Sequence, residues 1–192
     1  GATPIFANAS VVINMARLNA NGTRDTTLSA VGTDAAIYDL AMQGASNFIV
    51  GGNFETHANV ARRRIARSLP NGTTDLTFNT GSGANGTVLD MKVLSTGKIL
   101  ISGAFRCYNG AVRNRIARLN SDGTLDTAVN SNLLIDSSVD TFEVQPDGKI
   151  IIAGSFTKVG TASRNLIARL NADFTLDTSF SVGTGFVSNR VM

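Results

Sequence analysis

"GKIIIAGSF" at residues 148–156 is written earlier as "GKILISGAF" at 97–105 and, more loosely, as "NFIVGGNF" at 47–54. Each is a short continuous apolar run, rich in β-branched residues, that closes on Gly and then Phe. Runs of this length bounded by turn residues read as strands buried on both faces. The closing residues Phe54, Phe105 and Phe156 lie 51 positions apart. The strand is therefore one part of a repeat, and the period governs the fold.

A second phrase carries the same period. "RNRIARLNSDGTLDTAVN" at 113–130 returns as "RNLIARLNADFTLDTSFS" at 164–181. Its Ala-Arg dipeptide occurs at Ala16-Arg17, Ala66-Arg67, Ala117-Arg118 and Ala168-Arg169, at intervals of 50, 51 and 51. Each unit then resolves into four stretches. Stretch a is IYDLAM (37–42), VLDMKV (88–93) and VDTFEV (139–144), apolar at its first, fourth and sixth positions. Stretch b is the opening run, c is the Ile-Ala-Arg phrase, and d is TDLTF, LDTAV and LDTSF. "STGK" and "PDGK" join a to b, and "NANG", "LPNG" and "NSDG" join c to d, with Gly where a tight hairpin needs positive φ. No stretch sustains a 3.6-residue period. The sequence therefore predicts an all-β chain of four-stranded antiparallel sheets, about 51 residues each, stacked as in a β-propeller, because one such sheet has two apolar faces it cannot hide alone. The expected boundaries within the single domain 1–192 are a partial unit over 1–34, units over 35–85, 86–136 and 137–186, and the start of a further unit over 187–192. With a half-unit at each end, the ring is expected to be completed by further chain or by a partner.

The phrases "QPDGKIIIAGSF" (145–156) and "SRNLIARLNADFTLDTSF" (163–180) resemble the bacterial delta-60 repeat, a family of tandem β-propeller-like units. The first copy departs most, with "SNF" for the usual Gly-Lys and "RSLPNG" for the usual Arg-Leu-Asn turn. The resemblance implies a structural or surface-recognition module of large secreted or surface proteins, with no established catalytic residues. The expectation is a non-catalytic module that contacts other protein chains, through self-association or in a larger assembly. Its expected location is outside the cell or on its surface, or on a phage particle. The rival expectation is a carbohydrate-binding adhesin.

The charge balance argues against a nucleic-acid partner. Formal charge is +3 and charged residues are 16% of the chain; the cations recur singly rather than as a dense basic stripe. No stretch approaches the 18 apolar residues of a membrane helix. The single Cys107 allows no internal disulfide.

Two readings compete for the c–d hairpin. An Asp follows each repeated Arg by eight residues, so the two face each other across the hairpin. Arg17–Asp25, Arg67–Asp75, Arg118–Asp126 and Arg169–Asp177 are expected as bidentate, exposed ion pairs that pin the register. The spacing of "NSDGTLD" also approaches a calcium loop, with Asp122, Asp126, Asp173 and Asp177 as the only carboxylates fit to serve as ligands; the turn explains the residues without an ion. Asn21, Asn71 and Asn85 match the glycosylation pattern but sit where turns need them. No cofactor is expected. His57 stands without a companion base or nucleophile, and reads as a solvated loop side chain. The loops after stretch b, at 53–63, 104–114 and 155–165, differ most between units. They are the expected binding face, with His57, Asn59, Tyr108, Asn109 and Lys158 as candidates. Asn8 and Thr56 are further polar loop residues a sugar could use.

Overall fold

The computed structural model describes residues 15–28, 32–129, 133–183 and 185–186, and among these there is no helix. Asn8, the segment 187–192 and the apolar run preceding Met15 lie outside the described residues. Each of the three full units forms a three-stranded antiparallel sheet. The first is β1 (Ile37–Gln43), β2 (Asn47–Gly52) and β5 (Ile65–Ser68); the second β6 (Val88–Val93), β7 (Ile99–Gly103) and β10 (Ile116–Leu119); the third β11 (Val139–Val144), β12 (Ile150–Gly154) and β15 (Ile167–Leu170). Stretches a, b and c are thus the three strands, with b in the middle. Stretch d pairs with c through one isolated bridge per unit: Leu18 with Arg24, Ser68 with Thr74, Leu119 with Leu125, and Leu170 with Leu176. The carboxylate that follows the bridge turns back to cap its own turn, so the fourth strand stops after a single pair.

Stretch b explains why the units need one another. Side chains alternate across a strand, and along β7 the two faces enter different cores. Ile99 and Ile101 pack with Ile49, Ile65 and Phe78 of the first unit, whereas Leu100 packs with Ile150, Ile152 and Leu170 of the third. The same alternation sends Phe48 and Val50 toward the N-terminal half-unit, where Leu28 and Met15 lie. Three layers of apolar side chains therefore join four consecutive units, as the stacked, propeller-type repeat requires. On β12 the alternation becomes visible as exposure. Ile150, Ile152 and Gly154 are buried, while Ile151 and Ala153 are only half-buried because no described unit covers that face.

The Gly at the end of stretch b is dictated by a bulge. Register shifts between Val88 and Asp90 on β6, and at the matching points of β1 and β11. The bulge brings the Thr87 carbonyl against Gly103, where a methyl group would overlap it, and Gly52 and Gly154 face the same obstruction.

The loops after stretch b are not plain loops. Each folds into a two-stranded ribbon: β3 (Thr56–His57) with β4 (Val60–Ala61), β8 (Cys107–Tyr108) with β9 (Ala111–Val112), and β13 (Lys158–Val159) with β14 (Ala162–Ser163). The tips are two residues long. Ala58-Asn59 and Asn109-Gly110 both take positive φ, and at the third tip Gly160 does. These are the mirror-image turns whose twist suits a tight hairpin.

Candidate interaction surface

All four Arg–Asp pairs form. Arg17 Nε donates to Asp25 at 2.8 Å, Arg67 to Asp75 at 2.8 Å, Arg118 to Asp126 at 2.6 Å, and Arg169 to Asp177 at 2.8 Å. They differ from the sequence expectation in two respects. The pairing is through one carboxylate oxygen rather than bidentate, because the other oxygen caps the turn: Asp75 Oδ1 accepts the Thr77 N–H and hydroxyl, and Asp126 Oδ1 accepts the Ala128 N–H. The Asp75, Asp126 and Asp177 carboxylates are also buried rather than exposed. Two of them hold a second cation that the spacing of c and d does not announce. Lys98 reaches Asp126 at 2.6 Å and Lys149 reaches Asp177 at 2.8 Å. Burial alone would push the Asp126 carboxyl up, but hydrogen bonds from Lys98, Ala128 and Arg118 outweigh it and hold the group at about 2.

The guanidinium reaches beyond its own hairpin. Arg17 Nη1 donates to the carbonyl of Pro70, Arg67 Nη1 to that of Ser121, and Arg118 Nη1 to that of Ala172. Each acceptor is the same position of the c–d turn in the following unit. The phrase that repeats in sequence is therefore a relay. One Arg ties the Asp of its own unit to the backbone of the next. Stretch a carries a second tie. The Met91 N–H donates to Asp39 at 2.7 Å, and the Phe142 N–H and Thr141 hydroxyl donate to Asp90. Burial raises the Asp39 pKa, and the nearby charge of Asp90 adds to the rise.

Replacing Arg118 with alanine removes both contacts of its guanidinium and leaves Lys98 as the cation at Asp126. A loss of about 1–3 kcal/mol is expected, with faster amide exchange at the 118–126 hairpin and at the 172 turn of the next unit. Protection lost at the hairpin alone would show that the reach to Ala172 contributes nothing.

The four carboxylates named for calcium all have protein partners. Asp126 and Asp177 face cations, while Asp122 and Asp173 each accept from the backbone and hydroxyl of the Thr two residues on, at 124 and 175. Among the described residues no three acidic, His or Cys side chains gather as a metal site would require. Asn21 and Asn71 cap their turns in the same manner, and Asn85 accepts the N–H groups of Arg106 and Cys107.

The ribbon candidates divide. His57 and Tyr108 occupy equivalent positions and point inward, at 0% and 1% exposure, so neither is the exposed loop side chain that the sequence suggests. The Tyr108 hydroxyl donates to the Gly123 carbonyl. His57 Nδ1 lies 2.7 Å from Thr74 Oγ1, whose own proton goes to the His57 carbonyl, so Nδ1 must be the donor. Asn109 is exposed, with its side-chain oxygen accepting the Ser82 N–H. Asn59 and Lys158 are exposed on the ribbons, while Thr56 is half-buried and Cys107 is a free, half-buried thiol.

Similarity to known families agrees with this architecture. The family described as "Domain of unknown function (DUF5122) beta-propeller" matches residues 2–28, 49–78, 94–128 and 145–180, more than half of the chain. The second of these segments runs from stretch b through d, and the third and fourth begin just ahead of b and end in d. No curated protein matches the chain.

Proposed function

The chain belongs to the DUF5122 β-propeller family, and on that footing we propose that it is a non-catalytic structural and interaction module. It makes protein–protein contacts within a bacterial surface or phage-particle assembly, and its units are of the delta-60 kind. The observation that carries the reading is the row of ribbons. Three identical scaffolds present three differently written tips, Ala58-Asn59, Asn109-Gly110 and Gly160-Thr161, on hairpins capped at their base by Asp34, Asn85 and Asp136. A rigid frame with variable tips is how loops serve recognition. Catalysis has no comparable support: His57 is sealed in the interior, and among the described residues its side chain is paired with Thr74 alone.

A carbohydrate-binding adhesin is the competing reading. Sugar sites commonly stack a ring on an aromatic side chain, and Tyr108, the one aromatic residue on the ribbons, is buried. Sedimentation of the 192-residue chain over a concentration series, run beside a glycan array, separates the two. The interaction module is expected to associate reversibly and to bind no glycan. A chain that stays monomeric and binds a glycan, with binding lost when the three tips are replaced, would overturn the proposal.

A further inference from the structure

We infer that the base of the second ribbon is a receptor site for a carboxylate, the side chain of an Asp or Glu on a protein partner, held by Arg115 and Arg106. The inference rests on the interaction-module reading and names the chemistry of the partner. It starts from one column of the repeat. Arg64, Arg115 and Leu166 each follow a ribbon and open stretch c. All three take positive φ, at 67°, 72° and 66°. Each donates its backbone N–H to the carbonyl of the Phe that closes stretch b, at Phe54, Phe105 and Phe156. The two arginines also place Nη1 alike, on the carbonyls of Asn53 and Ala104.

The three units surround that column differently. In the first, Arg64 Nη1 also donates to Asn53 Oδ1 at 2.8 Å, and Nη2 donates to Glu55 Oε1 at 2.7 Å. The other Glu55 oxygen takes Arg63 Nε at 2.7 Å. In the third, Thr157 stands where Glu55 does and Leu166 where Arg64 does, so the pair carries no charge. In the second, Ala104 replaces Asn53 and Arg106 replaces Glu55. Both side-chain acceptors are lost, and a cation stands in the place of the anion. Arg115 keeps the bond to the Ala104 carbonyl, and its buried Nε has no partner among the described residues. Arg115 is nonetheless only 9% exposed, deeper than the paired Arg64. Burial lowers its pKa first and the charge of Arg106 second, while Asp136 acts the other way. Asp136 is itself committed to the third ribbon, where it accepts from Thr157 and Lys158. No Asp or Glu occurs among the undescribed residues.

A buried guanidinium facing a second cation is costly until an anion joins the two. The first unit shows which anion fits: a planar carboxylate whose two oxygens each take a guanidinium. The site belongs to the middle unit, with a described unit on either side. Arg106 immediately precedes β8, so the site is continuous with the variable tip at Asn109-Gly110 and within reach of whatever that tip contacts.

The probe is the capped peptide acetyl-Gly-Glu-Gly-amide, with acetyl-Gly-Gln-Gly-amide and inorganic phosphate beside it at matched ionic strength. In nitrogen–proton correlation spectra of the 192-residue chain, the glutamate peptide should shift the Arg115 Nε–H signal and the backbone amides of Arg106 and Cys107 saturably. The glutamine peptide should leave them in place. Arg106→Glu rebuilds the internal pair of the first unit, and Arg115→Leu copies the third. Each should weaken binding of the glutamate peptide by at least about tenfold, read at the Cys107 amide, with circular dichroism unchanged. No saturable shift in the wild-type chain, or undiminished binding in either variant, would overturn the inference. Phosphate held more tightly than the glutamate peptide, and lost in the same variants, would overturn the carboxylate partner in favour of a phosphate group. These failures leave the interaction module standing, because its own test is sedimentation. A glycan-binding monomer would overturn the module and, with it, the protein partner inferred here.

Discussion

Alanine at position 105 is expected to cost the protein about 3–5 kcal/mol, the usual range for removing a fully buried Phe. Phe105 is 0% exposed and lies in the core between the first and second units, with Phe78, Tyr108 and Ile99 in the same cluster. Its backbone carbonyl also accepts the Arg115 N–H, which starts stretch c. The ring is placed where a strand, a ribbon and a neighbouring unit converge, so little can collapse into the void. For a chain of this size the melting temperature should fall by roughly 6–20 °C. The matching residues Phe54 and Phe156 are equally enclosed, each at 0% exposure, and should show losses of the same order. A drop below about 1 kcal/mol for Phe105→Ala, read by denaturant titration, would contradict the packing described.

The second large effect is on pH dependence and centres on His57. Burial first, and then the charge of Arg62, push its pKa down from 6.5 to about 4. Nδ1 donates to Thr74, and Nε2 has no hydrogen-bond partner among the described residues. A second proton would therefore sit on a buried N–H with no acceptor. The unfolded chain takes up that proton near pH 6.5 and the folded chain only near 4. Stability is accordingly full above about pH 6.5 and declines as the pH falls to about 4, by on the order of 3 kcal/mol. The lowered carboxylates, such as Asp126, act at lower pH still. The third unit shows how to remove the sensitivity. There Val159 stands where the first unit has His57, and Leu176 where it has Thr74. The double variant His57→Val, Thr74→Leu should hold its stability between pH 6.5 and 4, as thermal melts across that range would show. A slope equal to that of the wild type would mean that the acid sensitivity arises elsewhere.

Much of this architecture was legible in the sequence because it is periodic. Phe54, Phe105 and Phe156 mark the register of the units, and the eight-residue step from Arg to Asp marks each hairpin. The parts that were not legible involve groups with no sequence signature. The acceptors of Arg17, Arg67 and Arg118 in the next unit are main-chain carbonyls, so nothing in the side chains of Pro70, Ser121 or Ala172 announces them. Lys98 and Lys149 were visible as hairpin residues, but their approach to Asp126 and Asp177 depends on strand order rather than on spacing. Asp39 and Asp90 were a readable hint, each a lone carboxylate within stretch a, yet their partners lie one unit away. The inward turn of His57 and Tyr108 could have been read from their column, whose third member is Val159. A position that accepts His, Tyr and Val is more consistent with an interior site than with a solvated tip.

The central claim is that each sheet is held by its neighbours rather than by its own sequence. Strands β7 and β12 provide the direct test. Both are central strands with ladder bonds on either side, and both read as the same Gly-ended apolar run. They differ in whether a described unit covers the second face. Amide hydrogen exchange in dilute solution, followed residue by residue, should find Ile99–Gly103 protected up to global unfolding and Ile150–Gly154 released earlier by local opening of its unit. Equal protection of the two strands, or slower exchange in Ile150–Gly154, would contradict the account.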